Sequence, residues 1–421
     1  MARGVLCGHP ACELPARPQV AMLRSFFSAL VPQKLRGIFA AFVVAGLAFG
    51  AVSLAFGQSL NFHVFRAAFF DLLARHDLYA KSADDYFKYS PTFALLFLPF
   101  ACLPKWLGAP LWSLTNFVVA YFGIERSLES SREKKLGLLV ALAGILLATD
   151  GDQSNLLVAG ALLLALHAFE RRDVRTGAAL VTGAAFVKLF PIVGAAFALL
   201  AKNRRLAVRA LALSALAWLV LPIAVMRPPT LFREYRSWGR LLAWDHANHG
   251  WNVMSLAHDV AHLPISSGAL QLAGLAIQTL PIALGIARGT DARWRRTLAC
   301  SLLAFVVLFN HRAEYASFVL SAIAVGVYFA ARERRPPLLV ALVVLSIVVP
   351  GPFLTRPHPS VTGLFEIIAA RRQFHAVRVI PLLLLWLSMH RDLLGRFLDV
   401  SVRLRAPVPE ADADPGARKE A

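Results

Sequence analysis

The chain has 421 residues, 57% of them hydrophobic and 16% charged, with a formal net charge of +19. A soluble domain carries roughly 45–50% apolar and about 25% charged residues, so this composition excludes an ordinary soluble globular protein. The surplus Lys and Arg fall in short loops between oily segments, with no basic groove and no aromatic ladder, which argues against nucleic acid as a partner.

The opening stretch, 1–36, holds Pro10, Pro15 and Pro18, shows no periodic pattern and is expected to be a disordered cytoplasmic tail. Cys7 and Cys12 flank His9 there, too few ligands for a recognised zinc spacing, and no metal site is expected. Cys102 and Cys300 lie in oily segments as packing residues. Residues 38–56 are apolar and uncharged and form the first span. After them comes 57–108, rich in aromatics and charges, with Asp71, Asp77, Asp84 and Asp85. Within it, Phe62 to Leu73 places apolar residues at helical spacing and predicts an amphipathic helix lying on the membrane. Residues 90–104 (SPTFALLFLPFACLP) are too short to cross, and Pro91 and Pro104 mark an interfacial or re-entrant helix.

Further spans are predicted at 109–124, 136–150, 154–169, 206–226, 267–287, 297–310, 315–331, 338–354 and 375–390. The segment 177–200 is interrupted at Lys188 and Pro191 and is predicted to enter and return, or to be broken. A competing topology makes 90–104 a span and 177–200 one helix. The fold class is all-α: a polytopic helical membrane protein with one integral domain over 37–391, about eleven or twelve membrane segments, and a mostly disordered cytoplasmic tail over 392–421.

Charge assigns the sides. The loops 125–135, 170–175, 201–209, 287–296 and 331–335 carry more Lys and Arg than acid and belong in the cytoplasm with both termini. The opposite, extracytoplasmic face then receives 57–108, 150–154, 227–266, 310–314 and 355–374. Polar groups that could carry chemistry gather on that face. Tyr89 precedes Ser90 and Pro91; the first loop could equally be a solvated loop with aromatic interface anchors. In DGDQSN (150–155), Gln153 and Asn155 could hold sugar hydroxyls, or Asp152 or Ser154 could cap the next helix. Lys188 is a charge inside an apolar segment, placed to meet a phosphate or to snorkel outward. In 227–266, Arg233, Arg236, Trp244, Asp245, His246, His249, Trp251 and Asn252 lie close together and suit a sugar or phosphate-sugar head group, or an ordinary tryptophan-anchored loop. NHRAEY (310–315) adds Arg312 and Glu314, as a capped, paired turn or as part of the same pocket. No phosphate-binding glycine loop or nucleotide-sugar fold is present, so a transferase here would take its donor from the lipid, without a cofactor.

The succession N-F-x-x-F from Asn61, D-L-Y from Asp77, Y-S-P-T-F-A-L-L-F from Tyr89, L-W-x-L-x-N at 111–116, Q-S-N at 153–155 and V-K-L-F-P at 187–191 resembles glycosyltransferase family 87, over about 57–320. The resemblance implies a GT-C fold at the cell membrane and inverting transfer on the extracytoplasmic face. The donor would be a sugar, typically mannose, on polyprenyl phosphate, and the acceptor a glycan or glycolipid. It implies that an aspartate in the first outer loop takes the acceptor's proton, and that Lys188, Gln153 and Asn155 line the pocket. In the family, the loop's opening motif usually begins with that aspartate; this chain has Asn61 there, and an amide cannot act as a base. The catalytic candidates are therefore Asp71, Asp77, Asp84, Asp85 and His63, with Asn61 marking the family position. The competing readings are a lipid-linked glycan ligase or polymerase, a lipid-linked sugar transporter, and a catalytically silent binding subunit.

Overall fold

Every regular element in the computed structural model is a helix; it describes residues 30–80, 85–149, 151–245, 250–349 and 376–405, and no strand occurs among them. Four helices are long and apolar enough to cross a membrane: Gln33–Ala55, Lys105–Ser127, Arg204–Ala224 and Ser267–Arg288. Shorter apolar helices lie between them, as befits a polytopic helical membrane protein.

Helix α1 (Arg36–Ala55) follows a single 3-10 turn, and α2 (Leu60–Ala74) follows it. Short helices α3 (Pro91–Leu96) and α4 (Leu98–Ala101) lead into α5 (Lys105–Ser127). Phe42 of α1 meets Phe117 and Tyr121 of α5 edge-on. Helix α6 (Ser131–Ala148) starts at a capping box: Ser130 accepts from the Glu133 N–H while Glu133 returns the bond. Helix α7 (Asn155–Glu170) crosses α5 where Gly160 meets Val119 and Gly123. A Cβ on Gly160 would stand 2.5 Å from Val119 O, so only glycine lets these backbones approach.

Helix α8 (Val174–Val187) is capped by Asp173 and ends where Lys188 turns extended, at φ −137° and ψ 141°. A 3-10 turn over Phe190–Gly194 and the short α9 (Ala195–Leu199) carry the chain back. Lys188 lies beside Asn155 at one end of α7. Lys202 and Arg204 share a cavity with Glu170 and Arg172 at the other end. The segment 177–200 therefore enters and returns, with Pro191 inside the turn.

Helix α10 (Arg204–Val220), capped by Asn203, leans on α8. The amphipathic α11 (Pro228–Trp244) and the short α12 (Val253–Ser255) precede α13 (Ser267–Arg288). Helix α14 (Ala292–Leu308) is buried along most of its length, as is α15 (Phe318–Ala330), which packs against α6. Helices α16 (Pro337–Val348) and α17 (Ile380–Arg405) complete the described chain.

One sequence expectation changes. The predicted amphipathic helix exists as α2, but Phe62, Phe65, Phe69 and Leu72 are buried in the protein and not spread on a bilayer. The reason is aromatic: Phe65 sits 4.7 Å from Tyr89, 4.9 Å from Phe93, 5.4 Å from Phe97 and 5.9 Å from Trp112 between ring centroids, each edge-on. Such pairs add about 0.5–1.5 kcal/mol each beyond area burial, and they fasten α2, α3 and α4 to α5. Past the last predicted span, α17 runs on to Arg405, so the first residues of the 392–421 tail are helical. Tyr328 donates to Asp392 at 2.7 Å, Arg332 pairs with the same carboxylate, and Phe397 packs edge-on against Trp294 at 6.0 Å, so the extension has partners. Cys300 is buried as expected, whereas Cys102 is exposed at the end of α4.

Candidate active site

The break after α8 brings Lys188 to the start of α7. Its Nζ donates to Asn155 Oδ1 at 2.6 Å, stands 3.4 Å from Gln153 Oε1 and lies 5.7 Å from the centre of the Tyr89 ring. Asn155 is only 2% exposed and spends its amide nitrogen on Ala316 O at 2.7 Å and Gln153 Oε1 at 2.8 Å. Gln153 in turn donates to Glu314 Oε1 at 2.8 Å. Four segments far apart in sequence thus share one polar network, with a cation at its centre and an aromatic ring beside it.

Ser154 does not serve as the helix cap for α7. The Leu157 N–H goes instead to Asn116 Oδ1 on α5, at 3.1 Å. The turn is held by unusual backbone: Gly151 has φ +58° and Asp152 φ +54°. Trp112 Nε1 donates to Asp152 O at 2.8 Å. Asn61 is bound to the same turn, donating through Nδ2 to Gly151 O at 2.7 Å and through its backbone N–H at 3.3 Å. A Cβ at Gly151 would meet Asn61 Nδ2 at 3.1 Å, so glycine serves both the left-handed turn and this close approach. His63 lies one step along α2, its ring 6.1 Å from that of Phe62.

A second charged group adjoins Tyr89. Asp245, at the end of α11, is 2.7 Å from Arg312 Nη2 and 3.6 Å from Lys88 Nζ, and its carbonyl lies 3.2 Å from His311 Nε2. Lys88 also pairs with Asp85 at 3.5 Å, and Asp85 accepts the Tyr86 N–H at 2.7 Å. Arg312 and Glu314 realise both readings of their motif. Glu314 caps the turn at Tyr315–Ser317 while bonding Gln153, and Arg312 pairs across to Asp245. Asn252 is fully buried as the cap of α12, accepting from Ser255 at 3.0 Å and donating to Asn310 O at 3.1 Å.

Asp71 and Asp77 stand in other surroundings. Asp71 is exposed beside His76 at 3.3 Å. Asp77 closes a turn by accepting the Tyr79 N–H at 3.0 Å, next to Glu234 of α11. Glu234, 1% exposed, accepts the Leu78 N–H at 3.3 Å; burial raises its pKa, and nearby Asp77 adds to the rise. Tyr79 donates to Tyr89 O at 2.9 Å, and both phenols are pushed above their ordinary pKa, chiefly by burial. Asp84, His246 and His249 lie outside the described residues.

The sequence patterns marked Asp245 and Glu314 within their motifs but did not single out Lys88. Arg378, a charge inside the predicted span 375–390 that was not singled out, is fully buried with its guanidinium 4.9 Å above the Trp251 ring. Among the described residues no group of His, Cys, Asp and Glu is arranged to hold a metal ion.

The chain is a helical membrane bundle that gathers a half-buried lysine, amides and paired carboxylates at one end. The model of glycosyltransferase family 87 matches residues 86–310, just over half of the chain, and the chain belongs to that family. It is therefore a membrane glycosyltransferase by family. The comparison with curated proteins gives no match.

Proposed function

We propose that the Lys188 network is the donor site of a glycosyltransferase that takes a hexose such as mannose from polyprenyl phosphate. The observation that carries this is the lysine at the break after α8, whose hydrogen bonds among the described residues go to neutral amides, 2.6 Å from Asn155 and 3.4 Å from Gln153, with the Glu314 carboxylate one amide further away. A cation held by neutral partners keeps its charge for an anion, and a phosphate leaving group is the anion that lipid-linked transfer generates. The loop charges support placing this end on the extracytoplasmic side of the cell membrane, where a lipid-linked donor is the available sugar source.

In this reading the acceptor hydroxyl of a glycan or glycolipid attacks the anomeric carbon, the bond to the phosphate oxygen breaks, and the configuration inverts. Lys188 steadies the departing phosphate. Asp85 is the base that takes the hydroxyl proton. Two observations support it over Asp71 and Asp77: it lies on the 85–90 stretch that carries Tyr89 to Lys188, and its Lys88 partner joins it to Asp245 and Arg312. The test is transfer by the purified protein in lipid with defined polyprenyl-phosphate sugars, comparing wild type, Lys188→Ala and Asp85→Asn. Transfer from monophosphate-linked sugar that fails in both variants supports the reading. Transfer only from pyrophosphate-linked oligosaccharide favours a ligase or polymerase, and binding without transfer favours a silent subunit.

A further inference from the structure

The other end of α7 carries a second constellation that the transfer reaction does not use. Helix α7 has 16 residues, so at about 1.5 Å per residue its Glu170 end lies some 24 Å from Asn155. There a cavity of about 550 Å³ opens among the ends of α7, α9, α10 and α13. Its lining is mixed: Leu166, Phe169, Phe197 and Leu200 supply an apolar part beside a larger polar one. Its rim is basic: Arg172, Lys202 and Arg204 line it, and none of the three has an ion-pair partner among the described residues. Glu170 is the single acid on the lining, and it is already engaged by Arg295 Nε at 3.1 Å. Arg295 is further fixed by bonds to Thr290 O and Oγ1, at 3.0 and 3.2 Å. With that pair cancelled, three cations remain uncompensated.

The flanking helices indicate how the cavity is reached. Helix α10 leans on α8, and α13 on α14 and α17. The apolar stretches of α10 and α13 are only 11% and 22% buried within the protein. Both present long apolar flanks to their surroundings, and the cavity lies where the start of one meets the end of the other. The cause is the break after α8: the returning segment is a 3-10 turn and a helix of five residues, which fills less volume than a full span.

An occupant must therefore carry negative charge at one end and a chain that can lie along α10 and α13. We infer that this cavity binds the phosphodiester headgroup of an anionic phospholipid drawn from the surrounding bilayer. A phosphate accepts from Arg and Lys in charge-assisted bonds, and each basic residue near an anionic membrane surface adds measurably to binding. The 24 Å separation decides against the sugar donor as the resident: a carrier whose phosphate sits here holds its anomeric carbon a helix length from Lys188. The exposed rim also suits a lipid that exchanges with the bilayer. This inference does not depend on which sugar, or whether any sugar, is transferred at the opposite end.

The experiment is native mass spectrometry of the whole protein taken from phosphatidylglycerol or phosphatidylcholine vesicles. It compares wild type with Arg172→Gln/Lys202→Gln/Arg204→Gln and with the charge-preserving Arg172→Lys/Arg204→Lys. Wild type and the charge-preserving variant are expected to retain phosphatidylglycerol at least about tenfold better than phosphatidylcholine, and the triple Gln variant is expected to lose that preference. The three positions are exposed, so the triple variant should keep its melting profile in detergent. Equal retention of both lipids, or a triple variant that binds like wild type, overturns the assignment. So does displacement of phosphatidylglycerol by polyprenyl phosphate or by inorganic phosphate at comparable concentration, which would give the cavity to the carrier or to the free anion. Because the readout is lipid retention and not transfer, its failure is distinct from failure of the donor-site reading.

Discussion

Lys188 Nζ lies 2.6 Å from Asn155 Oδ1, and the same asparagine donates to Ala316 O. One buried amide thereby joins the break after α8, the start of α7 and the turn before α15. Replacing Lys188 with Met keeps the apolar stem and removes the charge. A hydrogen bond to a charged group contributes about 1.5–3 kcal/mol, so kcat/KM for a polyprenyl-phosphate sugar should fall roughly 10- to 150-fold. Donor titration of the purified variant checks this, and full activity removes the lysine from the site.

Asn155 separates support from chemistry. Asn155→Ala strands Lys188 and Ala316 O and should cost about 1–3 kcal/mol of stability, read as a lower melting temperature. Asn155→Asp gives Lys188 a fixed counter-ion. That variant leaves Ala316 O without its donor, as Asn155→Ala does, and should bind the donor more weakly than wild type, because a carboxylate competes with the phosphate. Equal donor affinity in Asn155→Asp and wild type would place the phosphate elsewhere.

Asp85→Asn tests the base. General base catalysis contributes typically about 10²–10⁴-fold. The variant should lose activity in that range while binding donor normally, since the amide still accepts the Tyr86 N–H. Single-turnover transfer beside donor binding resolves the two effects, and a drop confined to donor affinity reassigns Asp85 to binding.

Asn61→Asp asks whether the family's usual aspartate can be restored. In this chain the amide donates to Gly151 O at 2.7 Å. A carboxylate would face that carbonyl oxygen with no proton to give. The variant is expected to lose stability by about 1–3 kcal/mol and to gain no transfer activity; a gain measured against wild type would identify position 61 as the missing base.

Glu234 gives a pH prediction with a fixed sign. Its pKa is raised in the folded protein by burial and by Asp77, so the folded state holds this proton more tightly than the unfolded chain. Its contribution is fully present below the ordinary carboxyl value and is lost as pH rises through the raised one. Glu234→Gln keeps an acceptor for the Leu78 N–H and carries no charge. Its melting temperature relative to wild type should therefore improve from pH 4 toward pH 7 (these two as rough bounds of the titration). A difference that stays constant with pH removes Glu234 from the account.

Much of the bundle was legible because lipid demands it. Apolar runs of about membrane length gave α1, α5, α10 and α13, and Pro191 after a lone lysine marked the break within 177–200. The outer loop was less legible. Its helix was readable from spacing, but burial against Phe93, Phe97 and Trp112 depends on which aromatics fold back, and periodicity does not encode that. The site divides the same way. Lys188, Gln153 and Asn155 betrayed themselves as polar groups in oily surroundings. Asp245 and Lys88 sit among many loop charges, and only the fold selects the two that meet. Arg378 lies near the edge of the predicted span 375–390, where a charge also fits an exit toward water, and only the fold shows it fully buried.

The helix that ends at Lys188 also acts as a ruler. Helix α8 is anchored at its first turn by Asp173 and is released only where the lysine leaves it, so its residue count fixes both the height and the azimuth of the ammonium group. One alanine inserted between Thr182 and Gly183 would raise Lys188 by about 1.5 Å and swing it through about 100°. Every side chain of the pocket would then be present while its cation pointed into the neighbouring helix. Deletions and insertions within 174–187 should thus be tolerated far less than point changes on its lipid-facing side, and the length of this hairpin is as much a part of the site as any residue in it.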